Sequence, residues 1–189
     1  SFGGYPTFDY HVAGHGGRFV RVPYVDDRED LEGLVEATVR LIEENGPQGF
    51  TLAEAARLAG VSAAAPYRHF TGRDELLEEV ARQGFEEFAD RLEAAYDDGR
   101  PRALTAFLRM GQEYLTFAGD RRGFYIAMFE AGISIAGNAG LSLASERARG
   151  VLVRAAGGLF DKLTEGRRPP PGMVADHIWA MSHGVVELF

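Results

Sequence analysis

Tyr67, Arg68 and His69 stand side by side immediately after Ser62-Ala63-Ala64-Ala65-Pro66. A phenol, a guanidinium and an imidazole in one short stretch can all bond an anionic oxygen, and an arginine can also address a base edge. The alanines beside them bring no reactive group. Their small methyls let a backbone lie against something large, while the polar end holds it there. Other candidate groups are scattered. His11 and His15 lie four apart with Asp9 nearby, a spacing that gathers metal ligands only on a helix. Gly14, Gly16 and Gly17 oppose a helix there, so no metal site is expected. His177 and His183 have no evident carboxylate partner beyond Asp176. The sequence holds no nucleophile elbow, P-loop, dinucleotide fingerprint or metal-ligand cluster. No catalytic residue and no cofactor are therefore expected, and the protein is not read as an enzyme.

These residues need elements to position them. The 189 residues suit one medium domain, or a small domain fused to a larger one. Cysteine is absent, which removes disulfides and thiolate metal sites and fits a reducing cytoplasm. The opening residues lack a charged leader followed by an apolar core, so no secretory signal is expected. No run of about 18 apolar residues exists, so no membrane span is expected. A formal net charge of -8 disfavours global attraction to nucleic acid or to anionic lipid. Between residues 26 and 82, six arginines face thirteen acidic residues. Any contact with DNA there has to be local, and arm residues Arg18 and Arg21 can add to it.

Residues 1–25 read as an arm without helical period. From Asp27 the pattern is helical, with Leu31, Leu34, Val35, Thr38, Leu41 and Ile42 forming one stripe, and Asn45-Gly46-Pro47 ends it. Thr51 with Glu54 predicts a capping box on a second helix, which Gly60 ends. Ser62 is expected to cap a third helix closed by Thr71 and Gly72, and a long fourth helix starts near Arg73 with Leu76, Leu77, Val80, Phe85, Phe88 and Leu92 inward. Pro101 is expected in the first turn of the next helix, followed by the buried segment "RGFYIAMFEAG", a loop over "ISIAGNAGLSLA", a helix from Ser145 to Leu163, and a last helix from Met173. No βαβ pattern or internal repeat is present. The fold class is all-α, with an arm at 1–25, a three-helix domain at 26–72 and a larger helical domain at 73–189.

Two short helices joined by "AGVS" read as a helix-turn-helix. In that motif the second helix lies in the major groove. Ala63, Ala64 and Ala65 then approach closely and can meet thymine methyls, and Tyr67, Arg68 and His69 reach phosphates, with Arg68 also near base edges. Plain packing gives each a second reading: Tyr67 buries its ring, Arg68 is a solvated charge, and His69 packs beside Phe70.

The stretch "TLAEAARLAGVSAAAPYRHFTGRDELLEEV" resembles the DNA-binding domain of the TetR family of bacterial transcriptional repressors, and "IWAMSHGVVELF" resembles the Trp-His-Gly signature of one C-terminal subgroup. The resemblance implies that Thr51 and Arg73 meet phosphates, that Ala53 occupies a base-contacting position, that Ser62 to Ala65 face the groove, and that Tyr67 and His69 hold the DNA backbone. It also implies a homodimer on a palindromic double-stranded operator, half-sites about one helical turn or a multiple apart, and release by a small-molecule effector. Phe107, Tyr114, Phe124, Tyr125, Met128, Phe129, Trp179 and His183 are the candidate lining of the effector cavity, each with ordinary core as its alternative. The competing function is a ligand carrier or enzyme that uses this cavity behind a vestigial DNA-binding module.

Overall fold

The computed structural model describes residues 27–188. The arm, with Asp9, His11, His15, Arg18 and Arg21, lies outside the described residues. Among the described residues there are seven α-helices and no strand: α1 (Asp27–Asn45), α2 (Leu52–Ala59), α3 (Arg73–Tyr96), α4 (Ala103–Asp120), α5 (Arg122–Phe129), α6 (Ala139–Leu159) and α7 (Pro171–Leu188). The all-α expectation holds.

α1 buries Leu34, Val35, Thr38, Leu41 and Ile42 of its expected stripe and Leu31 in part, and Ala37 and Val39 are buried too. The face is broader because α1 packs on α2 on one side and on α5 on the other. Thr38 satisfies its hydroxyl by donating to the Leu34 carbonyl at 2.7 Å. Gly46, at φ +78, ends α1 with its N–H on the Ile42 carbonyl at 2.9 Å. That positive φ is where a glycine is required.

α3 is the spine. At 1.5 Å per residue its 24 residues span about 36 Å. Leu76, Leu77 and Val80 pack into the N-terminal part, and Phe85, Phe88 and Leu92 into the C-terminal part. Each such side chain contributes roughly 1.5–3 kcal/mol on burial, so α3 binds both parts into one core. Its neighbours are α4, α5 and α6. Gly84 lets α5 come close: a Cβ there would lie 2.8 Å from Met128 Sδ and 3.1 Å from Phe124 Cδ1.

Several expected boundaries move. Pro101 precedes α4 rather than opening it, since Arg102 is the N-cap. α6 begins at Ala139, not Ser145, because the Asn138 side chain accepts from Leu141 N–H at 3.0 Å and Leu141 is fully buried. It ends at Leu159 instead of Leu163. The last helix, α7, starts at Pro171, not Met173. A further change concerns Ser62 to Phe70.

Candidate nucleic-acid interface

The α2 N-terminus is a closed capping box. Thr51 Oγ1 accepts from Glu54 N–H at 3.2 Å, and Glu54 Oε2 accepts from Thr51 N–H at 2.8 Å. Thr51 and Ala53 are exposed, while Leu52, Ala55 and Ala56 are buried. At the other end Gly60 adopts φ 74, ψ 18, its N–H reaching Arg57 O while Val61 N–H reaches Ala56 O at 3.0 Å. This is the double closure that a left-handed glycine permits. A Cβ on Gly60 would meet nothing within 4 Å. The glycine therefore serves the backbone angle, and the close approach of the helices comes from Ala55 and Ala56.

The expected third helix is not a regular α-helix. A turn covers Ala63 and Ala64 and a 3-10 helix covers Pro66–Arg68. Pro66 has no N–H to give the Ser62 carbonyl, and its ring crowds that carbonyl. The chain closes instead with three-residue bonds, Ala65 N–H to Ser62 O at 2.9 Å, Arg68 N–H to Ala65 O at 3.1 Å and His69 N–H to Pro66 O at 3.0 Å, and only Phe70 N–H makes a four-residue bond, to Pro66 O at 2.9 Å. Ser62 contributes its carbonyl here rather than a hydroxyl cap. Among the described residues of the N-terminal part, α1 and α2 are thus followed by a tightened candidate reading segment in place of a regular third α-helix.

That segment sorts its residues. Ser62, Ala63 and Ala64 are exposed, and Tyr67 is 64% exposed. Ala65 is fully buried, and Pro66 and Phe70 are buried beside it in the chain. Ala65 therefore does not face a groove, contrary to expectation, because the 3-10 turn rolls it inward. His69 is half-buried beside the Phe70 ring, and its Nε2 is enclosed without a hydrogen-bond partner. Arg68 turns to α1, where its Nη2 stands 3.2 Å from Asp30 Oδ2. Arg73 donates to Gln48 O at 3.2 Å and to Asp74 Oδ1 at 2.7 Å, with its guanidinium 5.9 Å from the Phe50 ring centre. Asp30 was not a candidate residue. Nothing in the sequence separates it from Asp27, Glu29 and Glu32, the other acids of the first turns.

The C-terminal candidates divide as well. Tyr114, Tyr125, Phe129, Trp179 and His183 form one cluster, with ring centres 4.7 Å apart for Tyr125–Phe129, 5.2 Å for Phe129–His183 and 6.0 Å for Phe129–Trp179. Phe88, counted only as core in the sequence, sits at its centre, 5.0 Å from Tyr114 and 6.2 Å from Trp179. Phe124 and Met128 lie on the neighbouring face of α5, over Gly84. Phe107 is half-buried against the core. Tyr125 Oη and His183 Nδ1 are hydrogen-bonded at 2.5 Å, and Glu187 Oε1 is 4.0 Å from His183 Nε2. His183 thus has a nearby carboxylate after all, one turn along α7. Asp176 pairs with Arg149 at 2.8 Å. Burial pushes the Tyr125 hydroxyl up to about 12 and Tyr114 higher still.

α5 ties this cluster to the N-terminal part. Gly123 N–H donates to Glu43 Oε1 of α1 at 2.8 Å. Arg121 bridges Glu87 of α3 at 2.9 Å and Glu36 of α1 at 3.6 Å. Beyond the other end of α5, Gln48 Nε2 reaches Ala131 O at 3.5 Å. Among the described residues no three His, Asp or Glu side chains gather to hold a metal, and no helix is long and apolar enough to cross a membrane.

Residues 34–80 match the family model of bacterial regulatory proteins, tetR family. A solved structure from Rhodococcus sp. RHA1, of a protein with unknown function, is similar over 89% of this chain and 86% of its own, at TM-score 0.73 and 24% identity. A TetR-family transcriptional regulator, PfmR of Thermus thermophilus, superposes over 82% of this chain and 85% of its own, at TM-score 0.64 and 18% identity. The chain has the TetR-family fold. An HTH-type transcriptional regulator of Mycobacterium tuberculosis is 28% identical over 144 residues, 75% of this chain. The chain spans 59% of the length of that relative. With the TetR fold come an N-terminal helix-turn-helix domain and a C-terminal helical domain, the order found here.

Proposed function

We propose that this protein is a sequence-specific DNA-binding transcriptional regulator, a repressor that a small molecule releases from its operator. The observation that carries the reading is the exposure of Thr51, Ala53, Ser62, Ala63, Ala64 and Tyr67, small methyls and uncharged hydroxyls, on a TetR-type domain. Exposed alanines allow close approach to base edges, and a tyrosine that projects into solvent can donate to a phosphate. His69, half-buried beside the Phe70 ring, and Arg73, at the start of α3, are the further proposed contacts to the DNA backbone. Arg68 is not part of it. With few hydrogen-bonding side chains available, operator choice leans on DNA shape.

The aromatic cluster around Phe88, Tyr125 and Trp179 is the proposed effector site, with Tyr125 and His183 as its polar pair. Trp179 and His183 both belong to it, which supports placing the C-terminal part in the Trp-His-Gly subgroup. α5 touches this cluster through Tyr125 and Phe129 and touches α1 through Gly123. An effector that prefers one setting of α5 therefore biases the position of the reading segment, by no more than its differential affinity for the two settings. TetR regulators commonly act as homodimers, and the exposed Met181, Val185 and Leu188 of α7 are the proposed contact between two copies.

The test is capture of genomic fragments by the full chain and by Tyr67→Ala. The wild type should retain a small set of fragments and release them to a cognate effector, and the variant should retain none of them. The same set on both proteins would show that this surface does not read DNA.

A further inference from the structure

The Asp30 carboxyl group belongs to the buried interior, at 6% side-chain exposure, yet it faces the only arginine of the reading segment. A carboxylate taken from water needs an opposite charge close by. Arg68 supplies it at 3.2 Å, with its own side chain 47% exposed. The guanidinium therefore turns toward α1, on a segment whose neighbours Ala63, Ala64 and Tyr67 point to solvent. The next arginine, Arg73, is held by Gln48 O and Asp74. The reading segment thus presents little uncommitted positive charge. That matters because attraction to DNA of arbitrary sequence is set by the phosphates a protein neutralises, whereas discrimination between sequences comes from bases and shape.

We infer that Asp30 is a positioning residue for DNA specificity: by holding Arg68 in an internal ion pair it keeps that guanidinium off the phosphates and lowers affinity for non-operator DNA. This rests on the DNA-binding reading above. Asp30 touches no DNA itself. It acts through Arg68, and the consequence is a larger ratio of operator to bulk affinity.

The experiment measures affinity of the full chain for a random-sequence duplex by fluorescence anisotropy, from about 50 to 200 mM salt. The proteins are wild type, Asp30→Asn, Arg68→Gln and the double variant. Freeing Arg68 adds one phosphate contact, so Asp30→Asn should steepen the slope of log affinity against log salt by about 0.9. Its affinity gain over wild type is then about 3.5-fold larger at the low-salt end than at the high-salt end. The double variant should return to the wild-type slope, and this separates a released arginine from the mere loss of a negative charge. A slope unchanged in Asp30→Asn, or still steep in the double variant, overturns the inference. Should Asp30→Asn fail to fold, Arg68→Gln decides alone. An unchanged slope supports the internal pair, and a slope shallower by about 0.9 shows Arg68 already on phosphate. Folded wild type that binds no duplex at any salt overturns the DNA-binding reading itself, and this inference with it.

Discussion

Gly123→Ala should destabilise the protein although it places a better helix former in a helix. A Cβ at Gly123 would sit 2.5 Å from the Val39 carbonyl oxygen, 2.7 Å from Val39 Cγ1 and 3.0 Å from Glu43 Cγ. The first contact is with backbone, which cannot swing aside, so α5 has to move away from α1. Overpacking of this kind costs about 1–3 kcal/mol. The same movement strains the Gly123 N–H bond to Glu43, a bond to a charged acceptor worth roughly 1.5–3 kcal/mol. Against this stands at most about 1 kcal/mol of helix propensity. The net expectation is a loss of about 1–3 kcal/mol, or roughly 2–10 °C in Tm for a chain of this size. The control is Gly111→Ala in α4, where a Cβ meets nothing within 4 Å. That variant should gain up to about 1 kcal/mol. Thermal and urea unfolding of both full-length variants, with hydrogen exchange along α1, is the assay. Gly123→Ala should also loosen the amides around Val39. If it raises Tm as Gly111→Ala does, the α1–α5 contact is not the tight junction described, and coupling through α5 loses its basis.

Three other outcomes are expected. Thr51→Ala removes the capping-box hydroxyl and should cost about 0.5–2 kcal/mol, read as a lower urea midpoint; no change would mean that the cap is redundant. Tyr67→Ala removes a side chain that stands in solvent, so its unfolding free energy should stay within about 0.5 kcal/mol of wild type while specific DNA binding falls; a large loss of stability would return Tyr67 to a packing role. Alkaline titration tests the burial of Tyr125. Its folded-state value is raised from 10.0 to about 12, so between these values the unfolded chain gives up a proton that the folded one keeps. Stability should therefore fall as pH rises through that window, and the fall should be smaller in Tyr125→Phe. A gain in stability with rising pH there would refute the burial.

The helix boundaries most legible in the sequence were those with a local chemical stop. Gly46 and Gly60 both take positive φ, and the Thr51–Glu54 pair closes both of its bonds. The long face of α3 was legible because large apolar residues repeat with the helical period. The reading segment was not, because three consecutive alanines carry no amphipathic signal. Only Pro66 shows that the hydrogen bonding must change there and turn Ala65 inward. The start of α6 was hidden by glycines, although Asn138 three residues before buried Leu141 is a cap in retrospect. The broad burial of α1 depends on α5, a neighbour distant in the chain, which no local pattern reports. In the sites, the proximity of Glu187 to His183 could have been found from their four-residue spacing. The partnership of Asp30 and Arg68 joins positions 38 apart and needs the fold.

Selection of bound duplexes from a random pool by the full chain, followed by hydroxyl-radical footprinting of the enriched sequence, tests the central claim most directly. The account predicts an enriched palindrome, with two protected half-sites about one helical turn or a multiple apart, lost in Tyr67→Ala. Folded, dimeric protein that enriches no sequence at low or moderate salt would contradict it, and the aromatic cluster on α5 and α7 would then become the place to look for function.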